Sequence, residues 1–387
     1  MKKLVIKAFA LFTAGALLLS GCESTGGAGN ATGGSNGGNS SESKKSSKTE
    51  LVLGAVEGTT IGENGLIDFS AISEEKLTEL YQSEAASGQK ITVNYTGSLC
   101  PVALPVAKYL GFLEDEGITD VDFVQISGSA ARDALASGNL TVAIGFLSDW
   151  LLYYQNGEEV VSTLALHSGC TSAAVLSDSE VTKFEKGMRI GVAGAIGGIF
   201  HNIGLRFINH DGFNTDDFTW VALDAGTLLA ALQEGQVDAI VASDELIYNY
   251  VESGLAKVIR SQDYDPDFVD EVCCSLGFNK DFVKNNPATV YKFTRGVYRA
   301  SKWLAESEEN RNKAIDLLLE KQYISATKEM GVKLINLLHY GFGTKELVDT
   351  MKVIGTEYIE LGLLPKDFDL SNAEEQFLVK YDLTKIQ

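Results

Sequence analysis

Three aspartates in this 387-residue chain stand where a small ligand could be held. Asp149 lies between Ser148 and Trp150, Asp244 follows Ser243, and Asp224 opens the run Asp224-Ala225-Gly226-Thr227. Carboxylates beside an indole suit an amine, an amide or an aromatic ring. Ser and Asp are also the common caps of helix N-termini, where their oxygens accept unpaired N–H groups. Gly194-Ala195-Ile196-Gly197-Gly198 offers the opposite chemistry. With no Ser, Thr or Asp to cap a helix after it, its N–H groups and the helix dipole are available to an anion; the bland reading is a tight turn. The glycine spacing, G-x-x-G-x-x-G-G from Gly191, is not the dinucleotide pattern G-x-G-x-x-G. Ser98-Leu99-Cys100 adds a hydroxyl and a thiol. Besides Cys22, the remaining thiols are Cys170, Cys273 and Cys274. No C-x-x-C pair occurs, and His167, His201, His210 and His339 show no metal-motif spacing.

Positioning these groups falls to a repeated unit. Thr227 to Asp244 reads as a helix with an apolar face (Leu228, Leu229, Ala231, Leu232), a left-handed stop at Gly235 and an apolar strand from Val237 to Ala242. An apolar run of that length suits a strand buried on both faces of a parallel sheet. The same order occurs earlier: Ala134-Leu135, two residues, Gly138, one residue, then Leu140 to Gly145. Each copy runs into Ser-Asp at the carboxyl end of its strand, where ligands of open α/β sheets bind. Two similar α/β lobes with a cleft between them follow from the repeat.

Bulk properties narrow the function. A formal net charge of -20 argues against nucleic-acid binding, which needs a basic face. The chain opens with Lys2, Lys3 and Lys7 and an apolar stretch from Ala8 to Leu19 that is too short for a stable membrane span. This stretch ends in Leu19-Ser20-Gly21-Cys22, which resembles the lipobox of a bacterial lipoprotein. By that resemblance residues 1–21 are a signal peptide, and Cys22 becomes the lipid-bearing N-terminus. Residues 22–49 are rich in Gly, Ser and Asn and read as a disordered tether. The expected location is the extracytoplasmic face of the cell membrane.

Along the body, Leu51–Val56 reads as a short strand and 74–86 as a helix; residues 50–88 either extend the first lobe or bring Gly58-Thr59-Thr60 to the cleft. Strands are expected at 91–95, 121–126, 160–166, 173–176, 189–192, 218–223 and 257–259. Amphipathic helices are expected within 287–383. The first lobe is placed at 50–180, the second at 181–262, and a return to the first lobe with C-terminal helices at 263–387.

One stretch resembles a known family. Leu104-Pro105-Val106-Ala107-Lys108-Tyr109-Leu110-Gly111-Phe112-Leu113-Glu114-Asp115-Glu116-Gly117-Ile118 is similar to the P-x-x-x-A-x-x-x-G-F-F-x-x-x-G-I/L run of nitrate/sulfonate/bicarbonate-type solute-binding proteins of ABC importers, a set that includes taurine, alkanesulfonate and thiamine-pyrimidine-precursor binders. Met188-Arg189-Ile190-Gly191-Val192 resembles the family's G-K-R-I-G-V, and Glu234-Gly235-Gln236-Val237-Asp238-Ala239 its x-G-x-V-D-A. The resemblance covers roughly residues 90 to 320. It implies an α/β, two-lobe, type II periplasmic-binding fold that closes on a solute without catalysis or cofactor. It further implies a permease and a cytoplasmic ATPase as partners, with the binding protein a monomer. Ser98, Leu99 and Cys100 then fall in a ligand loop, and the loops of Cys100, Cys170 and Cys273 converge on one cleft. A Cys100–Cys170 disulfide, a soft-metal site with His167, or packed thiols all remain open. The solute is expected to be a small polar organic compound, sulfonate- or taurine-like or a nitrogen heterocycle. The alternatives are a sensing or metal-binding lipoprotein of this fold, or a thiamine-pyrimidine-synthase-like enzyme.

Overall fold

A computed structural model describes residues 52–126 and 128–386. The signal peptide, Cys22 and the tether lie outside the described residues. Among those described, no helix is long and apolar enough to cross a membrane.

Ten strands build two five-stranded sheets. They are β1 Ile91–Tyr95, β2 Val121–Gln125, β3 Val142–Phe146, β4 Val160–Ser168, β5 Thr171–Leu176, β6 Arg189–Ala193, β7 Thr219–Leu223, β8 Ala239–Ser243, β9 Ala256–Ser261 and β10 Val272–Asn279. The first sheet runs β2-β1-β3-β10-β4 and the second β9-β5-β8-β6-β7. In each, the central strand pairs parallel with one neighbour and antiparallel with the other: β3 with β1 and β10, β8 with β6 and β5. Strands β4, β5, β8 and β10 are buried on both faces, which is why they read as largely apolar runs, whereas the edge strands β2 and β7 are mostly exposed or half-buried. On the second sheet Ile190, Val192 and Val241 pack against Ile203 and Phe207, while Ile240 and Ala242 meet Leu228, Leu232 and Ile247.

The sequence repeat is thus the centre of each lobe. Helix Gly128–Ala136 feeds β3 and helix Leu228–Gln233 feeds β8. The glycines between them, Gly138 and Gly235, hold φ of 74° and 65°, a left-handed region that a side chain rarely tolerates.

The first crossover differs from the expected one. β5 pairs with β8 and β9, so the chain leaves the first lobe at Gly169-Cys170, ahead of the expected boundary near Val181. An apolar strand carries no mark of which sheet it joins; only the pairing decides. The chain returns between β9 and β10.

Residues 52–88 belong to the first lobe. Val52–Val56 forms turns and not the expected strand. The Ile67 N–H donates to the Lys380 carbonyl at 2.7 Å, and Phe69 stacks on Tyr291 at 3.5 Å. Ser73 caps the helix Glu74–Ser83. Glu84 in turn accepts the N–H groups of Ala288 and Thr289, both at 2.7 Å, at the start of the long helix Pro287–Glu306. This segment therefore caps and clamps the C-terminal helices; Gly58-Thr59-Thr60 is not among the residues lining the cleft described next.

Candidate functional site

A cavity of about 290 Å³ lies between the lobes. The first lobe contributes Pro101, Ile144, Phe146, Trp150 and Tyr153 to its walls; the second contributes Ile199, Phe200, Ser243 and Glu245. The walls are mainly apolar and aromatic, with few polar groups, the usual build of a small-molecule site. Phe146 and Phe200 meet edge to face across the cleft at 6.3 Å.

Trp150 is seated by glycine. A Cβ on Gly145 would lie 2.7 Å from the indole, and one on Gly277 3.2 Å from it. Only bare backbone on β3 and β10 leaves room for that ring, which is 2% exposed. Its Nε1–H is buried with no partner among the described residues, and the residue forms part of the cavity wall.

Two carboxylates face the cavity from opposite lobes. Asp149 sits in the first turn of the helix Leu147–Gln155, which carries no side-chain cap, so capping does not account for it. Burial pushes its carboxyl up to about 7, against the pull of Arg132. Arg132, also in the wall, lies over the Tyr153 ring at 4.5 Å. Glu245 is the counterpart. It accepts the N–H of Leu99 at 3.1 Å, a bond that joins the lobes. Burial first, and then the charge of Cys100, push its carboxyl up to about 7.

Asp244 is not a cleft residue in this structure. Consecutive residues on a helix point about 100° apart; at the start of helix Asp244–Glu252, Glu245 takes the cavity and Asp244 turns inward. It is buried at 4% exposure, and neither carboxyl oxygen has a hydrogen-bond partner among the described residues. Burial and the neighbouring Asp263 hold its carboxyl well above the usual range. Asp224 is exposed, precedes a short 3-10 turn without capping it, and is absent from the cavity. Ser148 is buried behind the wall.

The glycine loop departs most from expectation. The N–H of Gly194 donates to Leu223, that of Gly198 to Ala195, and that of Gly197 to His201 Nδ1. Those three donors are taken up by the loop and its neighbouring elements, and Ala195 and Ile196 are exposed. None of the five residues from Gly194 to Gly198 lines the cavity; the helix after them does, through Ile199 and Phe200. Ser98 lines the cavity, its hydroxyl 2.7 Å from Thr96 Oγ1, while the Leu99 side chain is buried.

At the hinge end, Cys100, Cys170 and Cys274 line the same cavity. All four body cysteines are free, so the structure contains no Cys100–Cys170 disulfide. Cys170 occupies the first crossover at φ of 91°, strained for a residue with a Cβ. Its N–H is held by Asp263 at 3.1 Å and its carbonyl by the Asp244 N–H at 3.0 Å. His167 is fully buried; its Nδ1 lies 3.0 Å from the Ser168 carbonyl, and its Nε2 has no partner among the described residues. Arg132, Tyr153 and Glu245 were not singled out from the sequence. Glu245 directly follows Ser243-Asp244 and Tyr153 lies one helical turn after Asp149, which was the available signal; Arg132 carried none.

The comparisons with known proteins agree with this architecture. The family model described as NMT1/THI5 like matches residues 102–310. The 4-amino-5-hydroxymethyl-2-methylpyrimidine phosphate synthase THI5 of Saccharomyces cerevisiae is 25% identical over 318 residues, covering 76% of this chain and 88% of its own. Among solved structures, the ligand-binding component of an ABC-type import system from Staphylococcus aureus, solved with zinc bound, superposes with a TM-score of 0.62. It is 15% identical, over 77% of this chain and 99% of that one. The periplasmic aliphatic sulphonate binding protein SsuA from Escherichia coli gives 0.61 at 16% identity, over 76% and 93%. The fold is that of the periplasmic binding proteins.

Proposed function

The chain belongs to the NMT1/THI5-like family, and on that premise we propose that it is the lipid-anchored, extracytoplasmic solute-binding component of an ABC importer. Its solute is a small, flat nitrogen heterocycle of the aminopyrimidine kind. The observation that carries this reading is the pair Asp149 and Glu245, facing one aromatic-walled cavity from opposite lobes. Both carboxyls stand at about 7, so a ring nitrogen or exocyclic amine that donates hydrogen bonds or brings positive charge draws them into the ionised form. Phe146, Trp150 and Tyr153 supply an aromatic wall for a flat ring to pack against.

A simple anion fits this chemistry poorly. An ionised carboxylate about 4 Å from an anion costs roughly 4 kcal/mol at an effective dielectric of 20; two carboxyls stand in the wall against the single guanidinium of Arg132, and the glycine loop that was to receive an anion does not line the cavity. Sulfonate- or taurine-like solutes therefore rank below heterocycles. Closure is a hinge motion about Gly169-Cys170 and the β9–β10 connection, driven by the solute's higher affinity for the closed form. The Leu99–Glu245 bond joins the two lobes across the cleft. Permease and ATPase partners follow from the import role, and Cys22 would carry the anchor.

The test is thermal shift of the full chain against aminopyrimidines, alkanesulfonates, taurine and nitrate. A solute at 100 times its Kd stabilises by about 2.7 kcal/mol. Binding of sulfonates or nitrate with none of the heterocycles would overturn the solute class. A second reading, an enzyme, is favoured by the 25% identity to the yeast synthases. Mass spectrometry separates the two: a binding component returns its solute unchanged at one per chain, whereas an enzyme accumulates a pyrimidine phosphate.

A further inference from the structure

We propose that Cys100, His167, Cys170 and Cys274 form a tetrahedral zinc site at the hinge end of the cleft. Their ligand atoms all lie within 4.8 Å of one another. A zinc ion with Zn–S bonds of about 2.3 Å holds its sulfurs roughly 3.8 Å apart, so the groups need to close by no more than about an ångström. They converge from four separate places: the loop after β1, the end of β4, the first crossover, and β10 just after the second. Packing alone does not call for three thiols and an imidazole to meet from such distant points of the chain.

The histidine is prepared for a ligand. With Nδ1–H donating to the Ser168 carbonyl, the proton-free nitrogen is Nε2, buried and without a partner among the described residues. A backbone carbonyl on the other ring nitrogen is how ligating histidines are commonly oriented. The donor set also selects the ion. Thiolates and imidazole exclude magnesium and calcium, which take oxygen ligands. Three thiolates leave a net charge of -1 around Zn²⁺ but -2 around Cu⁺, and with Asp263 bonded to the Cys170 N–H and Glu245 to the N–H of Leu99 beside Cys100, the smaller negative excess is the better one. Four protein ligands close the coordination sphere. The ion then acts as a staple joining the first crossover, at Cys170, to the strand that follows the second, at Cys274, while a solute packs against its thiolates without binding the metal. This assignment does not depend on which solute the cleft takes.

Cys273 provides the internal control. Its sulfur lies 2.8 Å from that of Cys170, yet it is not one of the four convergent groups. The experiment uses the full chain, reduced and stripped by chelator, titrated with Zn²⁺ against a chromophoric competitor and separately with Co²⁺. One Zn²⁺ per chain should bind with a Kd tighter than about 10 nM. The Co²⁺ form should show tetrahedral d–d bands with thiolate charge transfer. C100S, C274S and H167Q should each weaken binding by roughly 100-fold or more, whereas C273S should stay within about threefold because no ligand is lost. The Co²⁺ spectrum of the unaltered chain needs no variant to fold. Absence of zinc binding, an octahedral or thiolate-free Co²⁺ spectrum, uptake of Cu⁺ but not Zn²⁺, or a C273S loss equal to that of C274S would each overturn the site.

Discussion

Replacing Glu357 by alanine cuts a charged latch between the lobes, and its cost can be worked from the geometry. Arg206, on the second-lobe helix Ile199–His210, is 1% exposed. Its guanidinium bonds Glu357 on the helix Thr344–Glu360 of the first lobe, and both oxygens of Glu271 at 2.8 Å. His210 Nε2 bonds the other Glu357 oxygen at 2.7 Å. Removing one partner of a buried ion pair costs about 3–5 kcal/mol. Because Glu271 still faces Arg206, the lower end applies, about 3 kcal/mol. Unfolding entropy of ~2.1 cal/mol/K per residue over about 340 residues converts this to a fall of about 4 °C in Tm. The pH dependence is also set. Burial alone would raise the Glu357 carboxyl, but hydrogen bonds from His210 and Arg206 outweigh it and hold it below its ordinary 4.5. Its contribution is therefore present above pH 4.5 and lost as pH falls through the lowered value. The Glu357 bond raises His210 above its ordinary 6.5, so that part is full below pH 6.5 and lost as pH rises through the raised value. The gap between native chain and E357A should thus be widest between about pH 4.5 and 6.5, and narrower but not zero at pH 8, where Arg206 still gains from Glu357. Differential scanning calorimetry from pH 4 to 8, with E360A at an exposed position as control, measures it. A Tm within 1 °C of the native chain, or a gap flat across that range, would refute the latch.

Gly145→Ala places a methyl 2.7 Å from the Trp150 ring. Overpacking of this kind costs about 1–3 kcal/mol, and the indole should shift, visible as changed tryptophan fluorescence and weaker solute binding; unchanged fluorescence and affinity would count against the glycine seat. Asp244→Asn should leave solute affinity intact and raise stability increasingly as pH rises above 4. The raised Asp244 carboxyl stabilises the native chain fully only below its ordinary 3.8 and loses that contribution toward alkaline pH, whereas Asn does not titrate. A stability difference independent of pH, read by urea titration, would contradict this. Cys22→Ala should move the protein from the membrane to the soluble fraction; unchanged membrane association would remove the lipid anchor from the proposal.

The lobes were legible because their signals are local. Ala134-Leu135 to Gly138 and Ala231-Leu232 to Gly235 each spell a helix, a left-handed stop and a buried strand, and both strands became the centres of their sheets. The crossover was not legible, since β5 is as apolar as its neighbours and only hydrogen bonding assigns it to the second sheet. The cleft was legible to within one residue. Strand-end placement pointed to Ser243-Asp244, but one step of helix rotation puts Glu245 in the cavity and buries Asp244 against Asp263. Nor could glycine spacing reveal that the N–H groups of Gly194, Gly198 and Gly197 are taken by Leu223, Ala195 and His201, because those partners are fixed by the loop's own three-dimensional path.

Titration calorimetry with a permanently cationic N-methylated aminopyrimidine, from pH 5.5 to 8 and with D149N and E245Q, bears most directly on the solute site. With both carboxyls at about 7, affinity for the native chain should rise by about tenfold or more across that range. Each variant should bind more weakly at pH 8 and lose part of the pH slope. An affinity that is flat with pH, or that survives both substitutions, would contradict the assignment of Asp149 and Glu245 to the site.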